Sequence, residues 1–99
     1  MVEYSQGDII KIEGQKDAAF VVSKSFYNKS GQVLACPMVK DAKASPVTYE
    51  IDFEEKIYGV LTDQVKKFDL SVRGSKKIGH AGMPDIMQVS DILQALFEY

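Results

Sequence analysis

Between residues 8 and 72 the chain is cut into short apolar or alternating segments, each closed by turn-forming residues, and a single helical pattern follows them. That order restricts the fold to short antiparallel strands with one packed helix. Residues 8–13 alternate as Asp-Ile-Ile-Lys-Ile-Glu, with Ile10 and Ile12 on one face, and residues 14–17 form a polar turn. Ala18 to Ser23 is apolar throughout its first five residues, the pattern of a central strand. Phe26 to Gly31 reads as a loop with turn chemistry at Asn28 and Gly31. Gln32 to Val39 is a second apolar strand, and Pro37 near its end implies an edge or a bulge. After a polar connection over residues 40–45, Pro46 to Phe53 puts Val47, Tyr49, Ile51 and Phe53 on one face. Ile57 to Leu61 is a short strand broken by Gly59, and Gln64 to Val72 a longer one with Phe68, Leu70 and Val72 on one side. Gly74, Gly79 and Gly82 punctuate a loop. A helix starts near Pro84, with Asp85 favourable in its first turn and Ile86, Val89, Leu93, Leu96 and Phe97 on one face. Six or so strands and one helix predict a mainly β fold, a small SH3-like antiparallel barrel with a C-terminal helix, as a single domain over residues 1–99.

Charge narrows the function. A formal net charge of −2 argues against a generally basic nucleic-acid binder. Its distribution is uneven: Lys66, Lys67, Arg73, Lys76 and Lys77 face only Asp69 within residues 66–77, whereas Asp85, Asp91 and Glu98 make the end of the chain acidic. The basic stretch is either a local phosphate-attracting strip or a solvated, aggregation-resistant edge. Cys36 is the only cysteine and sits in an apolar strand, so it reads as a small buried hydrophobe and no internal disulfide can form. The acids from Glu50 to Glu55 alternate faces, and no Cys/His cluster accompanies them, so neither a metal nor another cofactor is implied. The start, Met1-Val2-Glu3-Tyr4, lacks the regions of a signal peptide, and no apolar run reaches membrane-spanning length. A cytoplasmic, non-membrane protein is expected, and a chain this small gains from dimerisation.

Four pieces in a fixed order carry a family resemblance. These are Gly7-Asp8-Ile9-Ile10, the apolar run ending at Ser23, Asn28-x-x-Gly31 before a strand reaching Pro37, and Gly59-Val60 leading to Asp63-Gln64-Val65-Lys66. Arg73 to Gly79 and the terminal helix complete the order. Jointly, over nearly the whole chain, they resemble the MazF/PemK toxin family. The resemblance implies a homodimeric, ribosome-independent endoribonuclease that cuts single-stranded RNA by 2′-hydroxyl attack and is held inactive by a cognate antitoxin protein. The family brings an Arg in Arg-Pro-Ala and a Thr in Pro-x-Thr. This chain has Asp17-Ala18-Ala19 and Pro37-Met38-Val39 at those places. A carboxylate repels phosphate, and a valine cannot hydrogen-bond.

Substitute catalytic groups are Lys16, one place before the lost Arg; Asp17 itself; Lys40, after the lost Thr; and Asp63, as base or hydrogen-bond acceptor. The plain reading of both lysines is a solvated turn, and Asp63 serves equally as a turn cap. Gln64, Lys66, Lys67, Arg73, Lys76 and Lys77 are the candidate RNA contacts. Gln64 reads more simply as a residue satisfying backbone groups. His80, the sole histidine, suits acid–base work but needs an Asp or Arg beside it. Phe26 and Tyr27 either stack bases or seal the barrel end, the seal being the simpler reading, and Met83 and Met87 belong to core or dimer packing. The alternative to a nuclease is a catalytically inactive module of the same fold, binding an antitoxin, another partner or nucleic acid. The related gyrase poisons end in Trp-Gly-Ile, and this chain has no tryptophan.

Overall fold

The computed structural model describes residues 3–97, so the Glu98 of the acidic tail, Tyr99, Met1 and Val2 lie outside the described residues. Seven antiparallel strands form one sheet. They are β1 (Asp8–Ile12), β2 (Ala18–Val21), β3 (Gln32–Lys40), β4 (Thr48–Phe53), β5 (Lys56–Leu61), β6 (Lys66–Asp69) and β7 (Ser75–His80). The strand order is β4-β5-β3-β2-β1-β7, with β6 also on β3. A one-turn helix, α1 (Ser25–Asn28), follows β2, and the long helix α2 (Met83–Phe97) ends the fold. The mainly β fold with its C-terminal helix is the one expected.

β3 organises the sheet because it is long enough to serve three partners. One edge pairs with β2 from Ala35 to Met38. The other pairs with β6 over Gln32–Ala35 and with β5 over Met38–Lys40. The chain passes between these two partners through a 3-10 turn, Thr62–Gln64. Pro37 falls where neither partner pairs, so the amide it lacks is not missed on that edge. The edge or bulge expected at Pro37 is a local gap within a central strand.

Alternation on β1, β2 and β3 fills a core on each side of the sheet. Ile9, Phe20, Cys36 and Met38 pack with Ile51, Val60, Ala81, Ile86 and Val89 under α2. Ile10, Ile12, Ala19, Val21, Val33 and Ala35 pack with Tyr4 and Phe68 on the opposite side. The outer strands β4 and β7 are brought together by a side chain. The Phe53 ring lies where a Cβ on Gly79 would stand, 2.5 Å from that position, so only a glycine lets β4 approach β7 so closely. Tyr49 on β4 donates its hydroxyl to Asp85 Oδ1 at 2.5 Å, tying that strand to the first turn of α2, and this bond and burial push the phenol up to about 12. Glu54 and Glu55 form the two-residue β4–β5 turn at φ +52° and +65°. That turn geometry is normally given to Asn and Gly.

Several expectations change. Residues 75–80 are a strand rather than a loop, because Lys76 and Lys77 find partners on β1 that hydrophobic alternation does not reveal. The segment from Gln64 to Val72 shortens to Lys66–Asp69. Asp69 accepts from the Ser71 amide and hydroxyl and turns the chain, leaving Val72 exposed. Phe26 is 79% exposed on α1 and seals nothing. Of the two readings of Met83 and Met87, core or dimer packing, their exposure on the outside of α2 removes the first.

Candidate functional site

Asn28 and Ser23, two of the motif residues, are structural. Asn28 is buried; its amide donates to the carbonyls of Tyr4 (2.8 Å) and Ser23 (3.0 Å), and the Ser23 hydroxyl donates to Asn28 Oδ1. The Leu34 amide donates to Ser23 Oγ at 3.0 Å. Every donor in this group is consumed within the fold, as buried polar groups require.

The chain's chemically expressive side chains lie elsewhere, at the two ends of β1. At the end of the β2–β3 pair, one step beyond the paired Ala18 and Met38, come Asp17 and Val39, with Lys16 and Lys40 one step further. Thus three of the four candidate catalytic residues, Lys16, Asp17 and Lys40, share one end of the sheet. Lys11 and Lys76 join them. They are direct cross-strand partners on β1 and β7, and Lys11 Nζ donates to the Lys16 carbonyl at 3.3 Å. Like charges directly opposite destabilise a strand pair. Among the described residues none of Lys11, Lys16, Lys40 and Lys76 has an acidic partner within ion-pair distance.

Asp63, the fourth candidate, sits in the 3-10 turn on the far edge of β3. It is exposed and lies near Cys36. Burial first, and the Asp63 charge second, push the Cys36 thiol up to about 12, so it carries no thiolate at neutral pH. Gln64 is exposed in the same turn.

The stretch 66–77 is not one strip. Lys66 and Lys67 stand on β6 beside β3, whereas Lys76 and Lys77 stand on β7 beside β1. Arg73 lies between them with its guanidinium 5.8 Å from the Phe68 ring centroid, packed over the core and against Gly14. A run of basic residues in sequence separates in space because the chain crosses the sheet within it.

At the other end of β1 the charges are compensated. Asp8 is 2% exposed, and its carboxylate accepts from three donors: the Ser5 amide (2.8 Å), Lys77 Nζ (3.2 Å) and His80 Nδ1 (2.6 Å). Burial alone would raise its pKa; the Ser5 amide, His80 and Lys77 outweigh that and hold it below the ordinary carboxylate value. His80 has the acidic neighbour that acid–base work requires, and sequence spacing could not show it, because Asp8 and His80 are far apart in the chain. Among the described residues no three His, Cys, Asp or Glu side chains converge as a metal site. No helix there is long and apolar enough to cross a membrane.

The fold has known counterparts. The sequence matches, over residues 5–97, the family described as PemK-like, MazF-like toxin of type II toxin–antitoxin system. No curated protein matches it. Among solved structures it resembles MazF in a MazE–MazF complex from Deinococcus radiodurans (22% identity, 97% of each chain covered, TM-score 0.86). MazF alone from the same organism is similar at 21% identity, 97% of each chain and TM-score 0.83. An endoribonuclease in complex with its cognate antitoxin from Mycobacterial species is similar at 14% identity, covering 97% of this chain and 98% of that one, with TM-score 0.80. At these identities the likeness carries the fold alone.

Proposed function

Because the chain belongs to the PemK-like, MazF-like toxin family, we propose that it is an endoribonuclease acting on single-stranded RNA in the cytoplasm, working as a homodimer and restrained by a cognate antitoxin protein. The observation that carries the reading is the row of uncompensated cations, Lys76, Lys11 and Lys16, running toward Asp17 and Lys40 at one end of the sheet. Mutual repulsion among them is relieved by a bound polyanion, and a phosphodiester chain is such an anion. In this reading Lys16 and Lys40 hold the phosphate, replacing a fixed guanidinium with mobile point charges. Asp17 and Asp63 are the acidic candidates, and Gln64, Lys66 and Lys67 line the approach on the far edge of β3. Arg73 packs on the core, so it is a weaker candidate for RNA contact than Lys76, and Lys77 stands beside Asp8 at the other end of β1. Exposed Met83, Met87 and Phe97 on α2 suit cover by a second copy or an antitoxin segment.

The test is direct. Purified protein, incubated with mixed-sequence single-stranded RNA in chelator, cleaves it to fragments ending in 2′,3′-cyclic phosphate, and its expression arrests growth unless an antitoxin partner is co-expressed. Folded protein that leaves every RNA intact removes the nuclease reading. A second reading, a non-cleaving binding module, is favoured by the half-buried Asp17 beside Val39. It expects Asp17→Arg with Val39→Thr to create cleavage absent beforehand. Equal cleavage before and after speaks against it.

A further inference from the structure

The Asp8–His80–Lys77 cluster is built by a break in strand regularity. In a regular strand, residues 77 and 80 point to opposite faces. The β1–β7 register is Ile9 with Gly79 and Ile10 with Lys77, so Ile78 is an extra residue, a β-bulge. The bulge turns Lys77 and His80 to the same side, where both reach Asp8 Oδ1. Ile78 itself packs with the core under α2.

The parts are arranged for work at the surface. Asp8 is nearly fully buried, whereas the His80 and Lys77 side chains are 47% and 52% exposed. An ionised carboxylate only accepts, so Nδ1–H of His80 donates to Asp8, and Nε2 is the ring nitrogen with no hydrogen-bond partner among the described residues. Gly7, beside the imidazole, has φ +95°, and a Cβ there would lie 3.5 Å from His80 Cε1. The cluster therefore presents an oriented base and an ammonium within one carboxylate's reach. It lies four residue steps along β1 from Ile12, on the order of 13 Å from the Lys11–Lys16 end at ~3.3 Å per step.

We infer that His80 is the acid–base catalytic residue of this chain and Lys77 its phosphate-facing cation, with Asp8 a positioning residue, at a centre separate from Lys16, Asp17 and Lys40. The inference rests on the endoribonuclease reading. It supplies two of the groups the reaction needs, a proton acceptor and a cation held in place by a carboxylate. In the step, Nε2 takes the proton of the ribose 2′-hydroxyl and the 2′-oxygen bonds to phosphorus. The P–O5′ bond breaks, and the departing 5′-oxygen takes a proton from solvent water. The products are a 2′,3′-cyclic phosphate and a 5′-hydroxyl, and the imidazolium returns its proton to water.

The experiment compares wild type with His80→Gln on mixed-sequence single-stranded RNA across pH, with Tm recorded for both. The expected result is a loss of ~10²–10⁴-fold in kcat/KM, disappearance of the acidic limb of the pH–rate profile, and a nearly unchanged Tm. Asp8→Asn lowers kcat with little change in KM if it folds. Because His80 is the only histidine, its ring protons are a clean NMR reporter in the wild type whatever the variants do. Titration with 2′-O-methyl RNA, which binds without being cut, shifts them. A wild type that cleaves while His80→Gln stays within threefold of it overturns this inference and leaves the nuclease reading standing. A wild type that cleaves nothing removes both. Ring protons unmoved by saturating 2′-O-methyl RNA also overturn the site.

Discussion

The two ends of β1 handle charge in opposite ways. At the Asp8 end one buried carboxylate gathers three donors and the charges cancel. At the Lys11 end, lysines face each other across β1 and β7, and among the described residues none of them is ion-paired, although Asp17 shares that end. A compensated cluster is part of the fold and costs stability when broken. An uncompensated one costs stability by being there, and a bound anion would relieve that cost. Each end is also flanked by a glycine at positive φ, Gly7 at +95° and Gly14 at +87°, which allows a matched test.

Gly7→Ala has the largest expected effect. Its Cβ adds left-handed strain of ~1–2 kcal/mol and lands on the Ile86 side chain, which is buried in the core and cannot yield freely. Overpacking adds ~1–3 kcal/mol, so a total of about 3 kcal/mol is expected in urea unfolding. Gly14→Ala carries the same backbone strain but meets only the end of the Arg73 guanidinium, a flexible group. It loses about 1 kcal/mol. Equal losses at the two sites refute the idea that only the Asp8 end is built into the core.

Asp8→Ala comes next. It strands the Ser5 amide and leaves Lys77 and His80 without their acceptor. Both side chains are half exposed, so water recovers part of the loss, and about 2 kcal/mol is expected, or ~8–16 °C in Tm for a domain of this size. The same carboxylate sets an acid dependence. Its folded-state pKa lies below the unfolded value of 3.8. Its stabilisation is therefore complete above that value and is lost as pH falls through the lower folded-state pKa. Asp8→Asn flattens the acid limb of stability below about pH 4. Unfolding midpoints that fall with acid equally in variant and wild type contradict the assignment.

Most of the strands and the helix were legible because their alternation is a direct consequence of burial on one or both faces: Ala18 to Val21 and Tyr49 to Phe53 show it plainly. β7 was not, because its sequence, Ser-Lys-Lys-Ile-Gly-His, has one apolar residue with a large side chain, and that residue is the bulge. The same bulge hid the Asp8 cluster, since period-two reasoning sends Lys77 and His80 to opposite faces. Asn28 reads as a turn residue from its neighbours, yet its role is set by Tyr4 and Ser23, which only the folded chain brings near. At the Lys11 end, Lys16 and Lys40 were accessible from sequence through the family pattern. Lys11 was missed because it is an ordinary outward residue of an alternating strand until β7 sets Lys76 against it.

The smallest effect separates the two ends most cleanly. Lys76→Glu replaces a repulsive cross-strand pair by an attractive one, the introduced carboxylate against Lys11, and raises stability by ~0.2–1 kcal/mol. The salt response reverses with it. Added salt screens repulsion in the wild type and attraction in the variant, so unfolding midpoints rise with ionic strength in the first and fall in the second relative to it. RNA affinity is expected to move the other way, because the variant removes a cation and adds an anion on the proposed path of the phosphates, and the salt slope of binding becomes shallower. A stabilising substitution that weakens binding marks the Lys11 end as held in a strained charge state for a polyanion. If Lys76→Glu changes stability and leaves RNA binding untouched, the lysine row is only an unoptimised edge and takes no part in holding a nucleic acid.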